Sequence, residues 1–148
     1  IIAPSGWRKR SMQAPSLSRH NIVFDLERLQ EYMSRVRDMG LTERCYILVG
    51  VGPMPSARTA SWIRDNVPGV HIPDVVIKRL LDAQDQREEG VRICVEMIQA
   101  VREIQGVHGV HIMAYKQEER VRDIVGESGV LEERIPWYPG VSNDQPGQ

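Results

Sequence analysis

Cysteine is scarce in this chain. Only Cys45 and Cys94 occur among 148 residues, far apart, with no Cys-x-x-Cys pair and no nearby histidine, which argues against a zinc site or a disulfide framework. No stretch approaches the roughly 20 apolar residues that a membrane-spanning helix needs. Neither sign of charge prevails: 19 Lys and Arg face 20 Asp and Glu, a net charge of −1, which gives no general reason to expect nucleic-acid binding. The Gly-Lys-Ser/Thr of a phosphate loop is missing, and Gly50-Val51-Gly52 lacks the third glycine of a dinucleotide fingerprint. No Ser/His/Asp or Cys/His arrangement is readable. What is there is 41% apolar and 26% charged residues, with the length of one ordinary domain. A soluble protein is expected, with the cytoplasm as its place.

The two ends differ from the middle. The chain starts at Ile1-Ile2 rather than Met, and is expected to be processed or cut from something longer. Residues 1–20 carry Arg8, Lys9, Arg10 and Arg19 with no acid, a local charge of +4 that leaves −5 for residues 21–148. With Pro4, Pro15 and four serines and no sustained periodicity, this segment reads as a basic disordered arm, as sequence foreign to the domain, or as an Arg/Ser-rich targeting segment. Residues 132–148, ending in WYPGVSNDQPGQ, read as a flexible tail.

Between them, short apolar runs alternate with helical stripes. Asn21-Ile22-Val23-Phe24 reads as a strand, and Asp25 stands where it caps a helix whose stripe is Leu26, Leu29, Met33 and Val36, widened by Tyr32 and Met39 and stopped by Gly40. Cys45 to Val51 is apolar almost without interruption, as in a strand buried on both faces of a parallel sheet. After the rigid loop Gly52-Pro53-Met54-Pro55, Ser56 caps a helix to about Asn66 that buries Ala60, Trp62 and Ile63. Asp74 then caps a helix from Val75 to Ala83, with Val76, Ile77, Leu80 and Leu81 on one face. A longer helix runs from about Asp85 to Gln105 along Val91, Cys94, Val95, Ile98, Val101 and Ile104, with Gly90 marking a bend or a close approach. Val107 to Ala114 reads as a third strand and Gln117 to Val125 as a last helix. The order predicts α/β architecture with a parallel sheet. Three βα units form either a small open sheet or the C-terminal portion of a (β/α)8 TIM barrel, since a whole barrel needs about 250 residues.

Ligands of parallel α/β folds collect at the C-terminal ends of the strands. Those ends are Phe24-Asp25, the loop Gly50 to Ser56, and Ala114-Tyr115-Lys116-Gln117. The Gly/Pro loop before a helix can offer N–H groups to an anion, or be a tight turn only. Asp25 can orient a ligand or cap its helix. Lys116 and Gln117 can reach an anionic or heterocyclic ligand or be merely solvated. His71 reads as a packed turn histidine. His108 and His111 are three apart on a strand, hence on opposite faces, which argues against a shared metal. The pairs Glu88-Glu89 and Glu118-Glu119 read as solvated helix faces.

Residues 21–131 resemble the C-terminal part of the catalytic barrel of methylenetetrahydrofolate reductase. The resemblance is carried by Ile22-Val23-Phe24-Asp25 through Gly40, by Ile47-Leu48-Val49-Gly50-Val51-Gly52-Pro53-Met54-Pro55-Ser56, by Val70-His71-Ile72-Pro73-Asp74, by Glu89-Gly90, and by Gly106 to Tyr115. It implies a barrel holding FAD, in which NAD(P)H reduces the flavin and the flavin reduces 5,10-methylenetetrahydrofolate to 5-methyltetrahydrofolate for one-carbon and methionine metabolism. The three strands here would be the sixth, seventh and eighth. It implies substrate-side roles for Asn21, where the family usually has a glutamine on the pterin, for Asp25, for Ala57, where some members place an aromatic, and for Tyr115, Lys116 and Gln117. Met113 and Gln117 stand where some members have Tyr and Arg. The acid that assists folate protonation and most flavin contacts belong to the first five units, so no catalytic residue is expected in this chain and no tight hold on FAD. The implied partners are small-molecule folate and nicotinamide substrates, with a homo-oligomer or a complementing barrel chain as a further possibility. The alternative is a non-catalytic partner or a folate- or flavin-binding remnant.

Overall fold

A computed structural model describes the backbone of residues 16–131 and the side chains of residues 22–131. Three parallel strands, β1 (Ser16–Ile22), β2 (Cys45–Val51) and β3 (Gly109–Ile112), lie side by side in chain order. Helix α1 (Leu26–Asp38) joins the first two. Helices α2 (Ala57–Asn66), α3 (Asp74–Asp82) and α4 (Gln86–Arg102) join the second and third, and α5 (Val121–Ser128) follows β3. Among the described residues no helix is long and apolar enough to cross a membrane.

Caps fix most of these boundaries. The carboxylate of Asp25 accepts from Arg28 N–H, the Ser56 hydroxyl from Thr59 N–H, and the Asp85 carboxylate from Arg87 and Glu88 N–H, each satisfying donors that a helix start leaves without partners. The long stripe of α4 is buried throughout, from Val91 and Cys94 to Val101, and Ile104 just past its end is buried with it. That burial pushes the Cys94 thiol up to about 12, which makes it an inert core residue.

Side-chain alternation along β2 sorts the sheet's two faces. Ile47, Val49 and Val51 point into a core with Leu29, Met33 and Val36 of α1 and with Val91, Cys94, Val95, Ile98 and Val101 of α4. Register places Val110 and Ile112 of β3 beside Val49 and Val51 on that face. Tyr46, Leu48 and His111 stand half-buried on the other face, outside both core clusters. The expectation of burial on both faces is thus corrected: the helices of the main core back one face. A second cluster packs α2 and α3 around Phe24, Met54, Ile72, Ile77, Leu80, Ile93 and Met97.

Several boundaries also depart from expectation. β1 begins at Ser16, five residues inside the segment read as an arm, and ends before Val23 and Phe24. Its Ser-Leu-Ser-Arg-His sequence has no strand pattern of its own. Pairing with β2, from Ser16 opposite Cys45 to Ile22 opposite Gly50, imposes the extended form. Residues 1–15 and the tail proposed for residues 132–148 lie outside the described residues. Trp62 is 61% exposed because 100° per residue carries it to the far side of α2 from Ala57 and Ala60. Tyr32, Met39 and Leu81 are likewise exposed rather than part of their stripes. Asp74 lies in the first turn of α3 after Pro73 and does not cap it; its carboxylate accepts from Arg64 instead. The last helix starts with a 3-10 turn, Glu118–Arg120, and carries through Gly126, and Arg102 of α4 donates to the Ser128 and Gly129 carbonyls at its end.

Candidate functional site

The C-terminal ends of the three strands converge at Gly52. A Cβ there would collide with the Met113 carbonyl and crowd the Ile22 side chain, so only glycine lets the ends of β1 and β3 close on the loop after β2. Met113 N–H donates to the Val51 carbonyl at 2.7 Å, and Val23 N–H to the Gly50 carbonyl at 2.9 Å, which extends both pairings to this edge. The loop is fixed from a second side at Gly90, where α4 lies so close that a Cβ would strike the Met54 carbonyl. The close approach expected of Gly90 is therefore observed.

Two backbone donors just after the loop, at the start of α2, are engaged within the chain. Thr59 N–H donates to Ser56 Oγ at 3.1 Å, and Ala57 N–H to Gln86 Oε1 at 2.9 Å. Two of the N–H groups offered for an anion at the start of α2 are thus already satisfied. The turn is first of all a built piece of the fold.

Asp25 sits at the end of β1 and does more than cap α1. Its Oδ1 accepts from Arg28 N–H at 3.0 Å, while Oδ2 lies 3.5 Å from His71 Nε2 and 3.8 Å from Arg28 Nε. The His71 side chain is half-exposed. This histidine, read as a packed turn residue, is instead an exposed partner of Asp25 brought to the edge by the α2–α3 connection. Nothing in its sequence context signals that, because the pairing spans 46 positions and depends on how the helix pair folds back.

After β3, Ala114 to Gln117 form a turn closed by Gln117 N–H on the Ala114 carbonyl at 2.9 Å. Lys116 adopts φ +57°, a left-handed conformation that L side chains rarely take. Its ammonium lies 5.3 Å from the centroid of the Tyr115 ring, and its N–H donates to the Glu118 carboxylate. Tyr115 is 80% exposed. Gln117 turns inward, is only 4% exposed, and donates Nε2–H to the Pro53 carbonyl at 3.1 Å.

The expected residues therefore separate. Asp25, Tyr115 and Lys116 are at the edge with accessible atoms. Gln117 is at the edge but buried beneath it. Ala57 is 3% exposed with its methyl in the second core cluster, so the substrate contact expected at this position is not available to it. Asn21 is the penultimate residue of β1, and its side chain lies outside the described residues. Sequence reading missed Gln86, whose side chain secures Ala57, and the Pro53 carbonyl as an acceptor.

The opposite edge has different chemistry. His108 Nδ1 accepts from Ile47 N–H at 3.1 Å while His108 N–H donates to the Ile47 carbonyl at 2.9 Å, and its ring meets Tyr46 edge-on at 5.1 Å. Among the described residues no three His, Cys, Asp or Glu side chains converge as a metal site would require. Two surface cavities, about 490 Å³ against Val75, Arg79 and Glu89 and about 350 Å³ against Arg37 and Gln105, both lie away from the residues assembled at Gly52.

The family model described as methylenetetrahydrofolate reductase matches residues 17–129. No curated protein matches the chain.

Proposed function

Because the chain belongs to the methylenetetrahydrofolate reductase family, we propose that it forms the substrate-side wall of a reductase barrel. The reaction served is the NAD(P)H-driven, FAD-dependent reduction of 5,10-methylenetetrahydrofolate to 5-methyltetrahydrofolate, in the cytoplasm. The observation that carries this reading is the convergence of three parallel strand ends at Gly52, with Asp25, His71, Tyr115 and Lys116 around it. Three features support the barrel: strands parallel and in chain order, the main helical core on one face, and a half-buried opposite face that a barrel would turn inward.

The residues present do not fit FAD as its principal holders. A flavin dinucleotide needs a cradle for its pyrophosphate, and at the start of α2 two donors of that kind are taken by Ser56 and Gln86. The chain's own part is binding and orientation. Tyr115 offers a planar ring to an aromatic portion of the ligand, Lys116 a cation to its carboxylates, and Asp25 with His71 a polar pair for its hydrogen-bonding groups.

Calorimetric titration of the full chain with 5-methyltetrahydrofolate tests this reading. Binding is expected, weakened by Tyr115→Ala with the far-UV spectrum unchanged; absence of binding would overturn it. After incubation with FAD and removal of free flavin the protein is expected to be colourless, and retained flavin absorbance would overturn the assignment of the cofactor to other residues. Reductase turnover by the monomeric chain would do the same. A second reading, a barrel completed by another chain or copy, is favoured by the same half-buried face, and sedimentation velocity over a concentration series tests it.

A further inference from the structure

Gln117 has an unusual situation for an amide at a ligand edge. It is buried, its Nε2 donates to Pro53, and among the described residues its Oε1 has no donor. The Pro53 carbonyl can only accept, so it fixes which end of the amide faces the loop. Gln117 follows Lys116, whose backbone is left-handed, and lies under the loop rather than out in solvent. The strand-end contact at Gly52 joins the same two segments a second time, through Met113.

From this geometry we infer that Gln117 is a positioning residue: its amide N–H clamps the Gly52–Ser56 loop to the turn carrying Tyr115 and Lys116, and so sets the spacing of the ligand-binding edge. The inference rests on the reading of that edge as the folate side and deepens it, since it gives Gln117 a role behind the surface rather than on it. Without the clamp, the Pro53 carbonyl is left buried without this donor, and the loop and the Tyr115–Lys116 turn lose their common reference.

The test uses the full chain, 5-methyltetrahydrofolate as probe, and two substitutions measured against wild type at about pH 7.5 and about pH 5. Gln117→Leu keeps the bulk and removes the donor; about tenfold weaker binding is expected at both pH values. Gln117→Glu removes the donor at neutral pH, where carboxylate faces carbonyl, and restores an O–H donor once protonated. Its binding relative to wild type is expected to be weak at neutral pH and to recover in acid, a signature that packing alone does not produce. Wild-type affinity in Gln117→Leu would overturn the inference. So would Gln117→Glu binding at least as tightly as wild type at neutral pH, which would make Gln117 a direct acceptor for the ligand through Oε1. If neither variant folds, Gln117→Asn, one methylene short, replaces them: weakened binding supports the clamp and unchanged binding overturns it. If the wild type itself does not bind, the folate reading fails separately. Amide exchange at Gly52 and Met54 then decides the clamp, faster exchange in Gln117→Leu supporting it and unchanged exchange overturning it.

Discussion

The two edges of one small sheet are built on opposite plans. At the edge where β2 starts, polar groups are matched within the chain: His108 answers Ile47 N–H, Arg37 donates to the Gln105 carbonyl, and the Cys45 thiol to the Leu41 carbonyl. At the edge where the strands end, Tyr115 stands in solvent, Lys116 is held left-handed, His71 is half-exposed beside Asp25, and a buried amide keeps an oxygen without a donor among the described residues. The first edge is complete as a structure. The second carries exposed polar and aromatic groups that packing does not require, which is the pattern expected where a fold holds a ligand.

The comparison is broken most directly at Gly90. Gly90→Ala drives a methyl into the Met54 carbonyl, and urea denaturation is expected to show a loss of about 3 kcal/mol together with lost binding at the strand-end edge. His108→Leu sharpens it from the other side. Loss of the acceptor for Ile47 N–H is expected to cost about 1 kcal/mol in the same assay while calorimetry shows 5-methyltetrahydrofolate binding unchanged. Lys116→Gly relieves the left-handed backbone and is expected to raise stability by about 0.5 kcal/mol while weakening binding through loss of the ammonium.

The smallest effect belongs to neither edge and serves as a control. Hydrogen bonds from Arg79 hold Glu96 below the usual carboxylate range. A lowered folded-state value means stability present above the unfolded value of about 4.3 and lost as pH falls through the folded one. Glu96 is largely exposed, so the effect is small. Glu96→Gln is expected to flatten the acid limb of a stability profile slightly and to leave ligand binding untouched.

The contrast between edges also marks how far the residues speak for themselves. Where a cap precedes a stripe, as at Asp25, Ser56 and Asp85, local chemistry fixes the helix start and the expected boundary holds to within a residue. The apolar run Cys45 to Val51 gives β2 with the bounds read, though not the burial on both faces. Non-local pairing is not legible in this way: β1 reaches back to Ser16 because β2 offers it an edge, and β3 is cut to Gly109–Ile112 while backbone bonds from His108 and Met113 flank it. At the candidate site, position along the strand ends pointed to Asp25, Tyr115, Lys116 and Gln117. Whether a side chain stands out, as Tyr115 does, or turns under, as Gln117 does, is set by the shape of a turn that the residue pattern does not signal. His71 reads as a packed turn histidine because its partner, Asp25, is far away in sequence.

Amide chemical-shift mapping of the full chain titrated with 5-methyltetrahydrofolate tests most directly whether the strand-end edge is the ligand side. Shifts confined to Asp25, the Gly52–Ser56 loop, His71 and Tyr115 to Gln117 are predicted, with Ile47, Gln105 and His108 unmoved. Shifts centred on those last three residues, or none at all, would contradict it.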